Sequence, residues 1–244
     1  MHKVAGASRR GEKIVAYVEL HIEQGGRLEG KKTAIGIVEG IVGIRRYETV
    51  IEGFSNHAGT TPMDGRKDAL LAASRLVLAV NRTVTAMPGS QVGTVGKLIV
   101  EPNVPNVIPG RVVLTVELRD LVEDVISDLY RRIAVEAGTI AGETGTKISF
   151  TPVLPPSLAA PTDPAVRKCV AEAAAALGLS AMAMPSGAGH DAQNMARLAP
   201  MGMIFIPSKG GISQSPAEYS TPRDVVNGAN CLLQTVIRID REGF

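Results

Sequence analysis

Three short segments each set an imidazole beside groups that could work with it. His21-Ile22-Glu23-Gln24-Gly25 follows a nearly continuous apolar run over residues 14–22, so His21 is expected at the carboxyl end of a buried strand. Ligand and metal sites of open α/β sheets lie at such ends. A neutral imidazole there can ligate a metal, or the ring can sit half-buried and hydrogen-bonded beside the turn. Ser55-Asn56-His57-Ala58-Gly59-Thr60-Thr61-Pro62-Met63 is either a polar turn or a histidine donor aimed at a ligand. In Ser186-Gly187-Ala188-Gly189-His190-Asp191-Ala192 the glycines allow close backbone approach, and the amides could take an anion. No Lys-Ser/Thr follows, so a phosphate loop is not supported. His190 and Asp191 pair there with each other or with a neighbouring loop.

Three further positions stand out. The prolines of Pro105-Asn106-Val107-Ile108-Pro109-Gly110 fix the backbone, so Asn106 is presented at low entropic cost, unless the segment is only a connector. Arg119 ends a strand, where a guanidinium either grips a carboxylate through two parallel bonds or sits solvated or ion-paired. Gly210-Gly211-Ile212-Ser213-Gln214-Ser215-Pro216-Ala217-Glu218 holds no strong metal ligand, since Gln214 offers a neutral amide oxygen.

The elements that must position these residues follow from hydrophobic period. Strands are expected over 14–22, near 34–39, and over 44–54, 92–100, 111–119, 147–153 and 201–206. Alternation puts Tyr17, Glu19 and His21 on one face of the first strand, and Val112, Leu114, Val116 and Leu118 on one face of the fifth. Helices are expected over 68–86, with Leu71, Leu78 and Arg82 at helical spacing, and over 124–141, 164–177 and 224–239, the last capped by Thr221 with Pro222 in its first turn. Residues 44–155 thus read β-α-β-β-α-β, the ferredoxin-like arrangement. It is inserted into an α/β domain made of 1–43 and 156–244. With three strands the α/β part reads as incomplete.

Taken in order, HIEQG, SNHAGTTPM, PNVIPG, LRD, SGAGHDAQ and GGISQSPAE resemble the peptidase M20-type amidohydrolases over residues 9–239. The hydantoinase/carbamoylase branch, with its N-carbamoyl-L-amino-acid hydrolases, β-ureidopropionases and allantoate amidohydrolases, is the nearest. The resemblance implies a catalytic α/β domain with a two-metal site, zinc or manganese, and a ferredoxin-like lid that also forms a homodimer. By that resemblance His21 would be a metal ligand and Gln24 would line the pocket beside the metal. His57 would be the catalytic lid histidine that reaches an active site, commonly the partner subunit's, and steadies the tetrahedral intermediate. Asn106 and Arg119 would bind substrate, with Arg119 taking the substrate's carboxylate, and Arg46 matches a substrate contact of the allantoate branch.

Two departures qualify this. The family's HxDxV-type and paired-Glu segments lie upstream of HIEQG, whereas the 20 residues before His21 contain neither. The family's GISHSP histidine is Gln214 here. Hydrolysis of a ureido or carbamoyl C–N bond, in allantoate or an N-carbamoyl-L-amino acid, is therefore expected of the family, with this chain a truncated part that is inactive alone. The alternative is a non-catalytic dimerisation or substrate-binding module. Arg45-Arg46-Tyr47 and Ser55-Asn56-His57 lean slightly towards allantoate-like substrates.

Composition narrows the field further. Hydrophobic residues make up 45% and charged residues 20% of 244 residues, a globular balance. Lys plus Arg number 26 and Asp plus Glu 24, with no long basic run, so no nucleic-acid partner is expected. Residues 1–13 show no leader-like apolar core, and the apolar stretch 70–80 is broken by Ser74 and Arg75, so no membrane partner is expected either. Two cysteines without ligand spacing fit a cytoplasmic protein.

Overall fold

The computed structural model describes residues 8–9 and 11–242; the expectation for residues 1–13 falls largely outside them. The elements are β1 (Tyr17–Ile22), α1 (Arg27–Gly30), β2 (Ile35–Ile41), β3 (Gly43–Glu52), α2 (Ala69–Ala86), β4 (Val92–Glu101), β5 (Arg111–Asp120), α3 (Glu123–Thr144), β6 (Lys147–Pro152), β7 (Ala160–Pro161), α4 (Pro164–Ala176), β8 (Ala181–Ser186), α5 (Ala192–Met195), β9 (Met201–Ile206) and α6 (Pro222–Glu242). They fall into two compact units. One runs to Val42 and resumes at Ala159; the other is Gly43–Leu158.

In the unit Gly43–Leu158 the chain order is strand, helix, strand, strand, helix, strand. The antiparallel sheet is ordered β4-β5-β3-β6. β5 alternates cleanly: Val112, Leu114, Val116 and Leu118 are all buried. They pack with Ile51, Leu76, Leu129 and Ile133 beneath α2 and α3. Asp68 opens α2 by accepting from Leu70 N and Leu71 N at 2.9 and 3.0 Å, satisfying two donors the helix leaves orphaned.

The buried face of α2 is not the one that Leu71 and Leu78 would suggest. Those leucines are 53% and 66% exposed, and the buried positions are Ala69, Ala72, Ala73, Leu76, Ala79, Val80 and Val84. The buried stripe mixes alanines, which let the helix lie close on the sheet and on α3, with Leu76, Val80 and Val84. Arg82 joins the outer side by pairing with Glu136 of α3 at 2.7 Å. By length and a mean hydropathy of 1.2, α2 could also cross a bilayer, but here its apolar face is spent in this core.

The other unit is a mixed five-stranded sheet ordered β1-β9-β2-β7, with β8 also on β2. β1 runs parallel to β9, while β2 is antiparallel to β9 and β7 and parallel to β8. β7 and β8 go beyond the three strands legible in the sequence. β7 is two residues long, and β8 reads AMAMPS, without a β-branched residue and with an internal proline. β9 is buried at every position. β1 is half-buried throughout rather than buried, because β9 is its single strand neighbour among the described residues.

The sheet separates two apolar layers. Ile204 and Ile206 of β9, with Val18, Leu20 and Ile22 of β1, join Val170 and Ala173 of α4 and Cys231 of α6. Met201, Met203 and Phe205 turn to the other face, with Tyr17, Leu28 and Ala192. Close seating of α6 requires Gly228, where a Cβ would lie 2.5 Å from Ile206 Cγ2. α6 begins as its sequence suggests: Thr221 Oγ1 accepts from Asp224 N at 3.2 Å. Cys169 and Cys231 are buried free thiols, and burial pushes the Cys231 thiol up to about 11.

The buried face of α2 makes a direct prediction. In urea unfolding, Leu76→Ala should cost about 2–5 kcal/mol, while Leu78→Ala should stay within about 0.5 kcal/mol of the parent. The opposite ranking would return the core to the Leu71 and Leu78 side.

Candidate functional site

In the unit that contains β1, the parallel register sets His21 opposite Phe205 and places Glu19 and His21 on the same face. His21 Nδ1 lies 2.8 Å from the Ile22 carbonyl oxygen. A carbonyl only accepts, so Nδ1 carries the proton and Nε2 presents a lone pair. Glu19 Oε2 accepts from Tyr17 OH at 3.1 Å and from Ala192 N at 2.8 Å. The His190 side chain, 2% exposed, stands edge-on to His21 with centroids 4.5 Å apart.

His190 is held on one side by a hydrogen bond and faces a carboxylate on the other. Its Nε2 is 2.8 Å from Ser186 Oγ, and its Nδ1 is 3.6 Å from Glu19 Oε1. The Ser186 hydroxyl donates its one proton to the Ala188 carbonyl at 3.0 Å, so it must accept from His190. That puts the His190 proton on Nε2. Burial, and secondarily the neighbouring His21, lowers the His190 pKa to about 4, so the ring is neutral at pH 7. The contact with Glu19 is therefore not an ion pair. A lone pair faces a carboxylate oxygen, an arrangement a cation between them would relieve.

Glu19, His21 and His190 bring one carboxylate and two imidazoles to within 4.8 Å of one another. That donor set suits zinc and related divalent ions, and three is the ligand number of a catalytic zinc. Ser186, on the far nitrogen of His190, is the outer partner such a ligand needs. The sequence showed Glu19 beside His21 by alternation but gave no hint that His190 joins them, because the contact spans 169 residues. The partners of His190 are Ser186 and Glu19, and its neighbour Asp191 makes no capping bond to α5.

Gln24 and Gln214 meet through one small network. Gln24, in a left-handed conformation (φ 59°), donates its side-chain amide to Ser213 Oγ at 3.0 Å and its backbone N–H to Ser208 Oγ at 3.1 Å. Ser213 Oγ and Gln214 N both donate to Glu218 Oε2 at 2.9 Å. These bonds hold the Glu218 carboxyl below its ordinary range, and His21 adds to the effect. Gln214 itself is exposed. Glu23 is structural: its carboxylate accepts from Arg27 N and Leu28 N at 2.8 Å and opens the short α1.

In the unit Gly43–Leu158 two groups form. His57 and Asn106 lie on loops joined by a bridge between His57 and Val107, with Ala58 N donating to Asn106 O at 2.9 Å and Ile108 N to Asn56 O at 2.8 Å. Both residues are exposed. His57 Nδ1 accepts from Gly59 N at 3.0 Å and from Thr60 N at 3.2 Å.

Arg46 and Arg119 flank Glu117, which alternation places on the same face of β5 as Arg119, two residues before it. Arg119 donates to Glu117 Oε1 from Nε at 2.7 Å and lies at 2.6 Å through Nη2. Arg46 donates from Nε to Oε2. Burial pushes the Glu117 carboxyl up, but the bonds and charges of Arg119 and Arg46 outweigh it and hold the group below its ordinary range. The trio carries one net positive charge on the sheet face away from α2 and α3.

Comparison with known proteins converges on one family. Residues 1–238 match the model of peptidase family M20/M25/M40. An N-carbamoyl-L-amino-acid amidohydrolase of Paenarthrobacter aurescens is 38% identical over 242 residues, covering 98% of this chain and 58% of that protein. An allantoate amidohydrolase of Bacillus subtilis (strain 168) is 38% identical over 232 residues, covering 93% of this chain and 55% of that protein. The crystal structure of a hydantoinase/carbamoylase-family amidase from Burkholderia multivorans superposes with a TM-score of 0.89 at 39% identity, over 93% of this chain and 55% of that one. The chain spans little more than half the length of the relatives it matches.

Two outcomes are expected at the histidine cluster. Titration with zinc against a chromophoric chelator should give one tight site per chain, and Ser186→Ala should weaken it about 10–100-fold by releasing His190. Because the folded-state pKa of His190 lies below its unfolded value, its contribution is complete above about pH 6.5 and is lost as pH falls towards 4. The urea midpoint of the metal-free chain should fall across that window, and His190→Gln should flatten the fall.

Proposed function

The chain belongs to peptidase family M20/M25/M40, and from that premise we propose that it carries the substrate-side portion of a metal-dependent amidohydrolase acting on a ureido or carbamoyl C–N bond. The cluster of Glu19, His21 and His190 carries the reading, since it offers a divalent ion the donor set of a hydrolytic site. Zinc or manganese bound there would supply a nucleophilic water at neutral pH and a Lewis acid for the carbonyl oxygen.

The chain's own residues do the rest. His57 and Asn106 donate hydrogen bonds to the oxygen on which negative charge develops. Arg119 holds the substrate carboxylate with its fork of donors, and Arg46 adds charge beside it. Glu117 keeps both guanidiniums on one sheet face, so an incoming anion meets a net positive trio and not two repelling cations. Gln24 tethers the loop that follows β9 beside the cluster. Arg46 and His57 favour an allantoate-like ureido substrate over a simple N-carbamoyl amino acid.

The same reading makes the unit Gly43–Leu158 a ferredoxin-like lid and the surface of a homodimer. Its supports are the open edge of β4, with Leu98 and Ile99 exposed, and the outward Leu71 and Leu78 of α2. Buried free thiols suit the cytoplasm. A second reading, a substrate-binding module without catalysis, draws on Gln214, an exposed neutral side chain where the family has a ligand.

The chain with zinc or manganese should not hydrolyse allantoate or N-carbamoyl amino acids above the buffer rate, because the three-donor cluster among the described residues provides half of a two-metal centre. Hydrolysis by the chain alone, abolished by a chelator, would overturn this. Calorimetry with millimolar allantoate should release heat, and Arg119→Ala should remove it. Co-expression with the preceding half of a family member should restore turnover if the chain is part of an enzyme. Binding without restored turnover would favour the module.

A further inference from the structure

We propose that the loop from Ser55 to Arg66 locks the His57 imidazole in the tautomer with its proton on Nε2, and that Arg66 is the positioning residue that enforces the lock. The catalytic meaning of this rests on the donor role proposed for His57; the tautomer itself does not.

Two backbone donors converge on one ring nitrogen. Gly59 N–H and Thr60 N–H reach His57 Nδ1 at 3.0 and 3.2 Å, so Nδ1 must offer its lone pair and the ring proton sits on Nε2. The exposed end of the ring is then a donor, the polarity needed to meet a developing oxyanion.

Arg66 sets the direction of the first of these amides. Its Nη2 donates to Ala58 O at 2.6 Å and to Thr61 O at 2.9 Å, and its Nε donates to Thr61 O at 3.1 Å. The carbonyl of Ala58 and the N–H of Gly59 belong to one planar trans peptide and point opposite ways. A guanidinium gripping the oxygen therefore turns the hydrogen towards His57. The loop is tied on its other side by Thr61, whose N–H and hydroxyl donate to His57 O at 3.2 and 2.8 Å, and by Ala58 N on Asn106 O. Gly59 keeps the approach close: a Cβ there would lie 3.1 Å from His57 Cε1 and would press on the ring.

The test is long-range proton–nitrogen NMR of the full chain labelled with nitrogen-15 and recorded at pH 8, with His57 assigned through His57→Gln. The expected spectrum shows a pyridine-like Nδ1 and a pyrrole-like Nε2, together with slow exchange of the Gly59 amide. In Arg66→Ala the two nitrogen shifts should move towards each other, and Gly59 exchange should quicken by about tenfold, the worth of one hydrogen bond. Arg66→Lys, a point donor that cannot span both carbonyls, should give only partial rescue. Unchanged amide signals from β5 report that the unit is folded. Gly59→Ala probes the same lock from the other side if Arg66→Ala does not fold. A wild-type ring protonated on Nδ1 would overturn the lock. An unchanged ring in whichever of the two variants folds would overturn its control by this loop. Neither result depends on turnover, so failure of the proposed function would be seen separately, in hydrolysis and calorimetry.

Discussion

β1 leans on β9. The parallel register from Tyr17 opposite Met201 to Ile22 opposite Ile206 is its strand pairing among the described residues, and the candidate metal centre depends on it. Side chains alternate with a period of two, so a slip of one residue would turn Glu19 and His21 into the apolar layer of α4 and α6 and bring Val18 and Leu20 to the face that holds His190. β9 resists that slip. It is buried at all six positions, with Ile204 and Ile206 committed to one layer and Met203 and Phe205 to the other. The imidazole of His190 completes the arrangement by resting between His21 and Phe205.

The two units solve a shared problem with different means. Functional side chains lose entropy when held in one geometry, and each unit meets that cost with hydrogen bonds to groups that are themselves fixed. In the sheet with β1, Ser186 grips His190, and a backbone carbonyl grips His21. In the unit Gly43–Leu158, backbone amides grip His57 and a single carboxylate grips two arginines. Glu117 also limits the field it creates. Two bare guanidiniums would repel each other, whereas the trio keeps one net positive charge and a defined direction.

Family membership and the local chemistry carry different weights. Identity near 38% across nearly the whole chain establishes the family, and a TM-score of 0.89 shows that the backbone follows it. The chain nonetheless spans little more than half of those relatives, so the ligand count within it is its own. Among the described residues that count is Glu19, His21 and His190, with Gln214 turned outward on a loop organised by Glu218.

Strands with strict alternation or unbroken apolar runs, such as β5 and β9, were legible in the sequence because their pattern is the direct imprint of burial. Motif order, a property of the chain alone, was enough for the family resemblance. β8 was not legible, since AMAMPS carries neither β-branched residues nor alternation and is made a strand by pairing with β2. The buried face of α2 was not fixed by the sequence, since leucines stand on both sides of the helix: Leu76 is buried among alanines and valines, while Leu71 and Leu78 are exposed. The sequence by itself determined which residues could do chemistry and which strand or loop holds each. Only the tertiary structure decided their company, placing His190 with Glu19, Glu117 between Arg46 and Arg119, and Arg66 behind His57. Those contacts are made across sheet registers and loop crossings, where distance along the chain carries no information about distance in space.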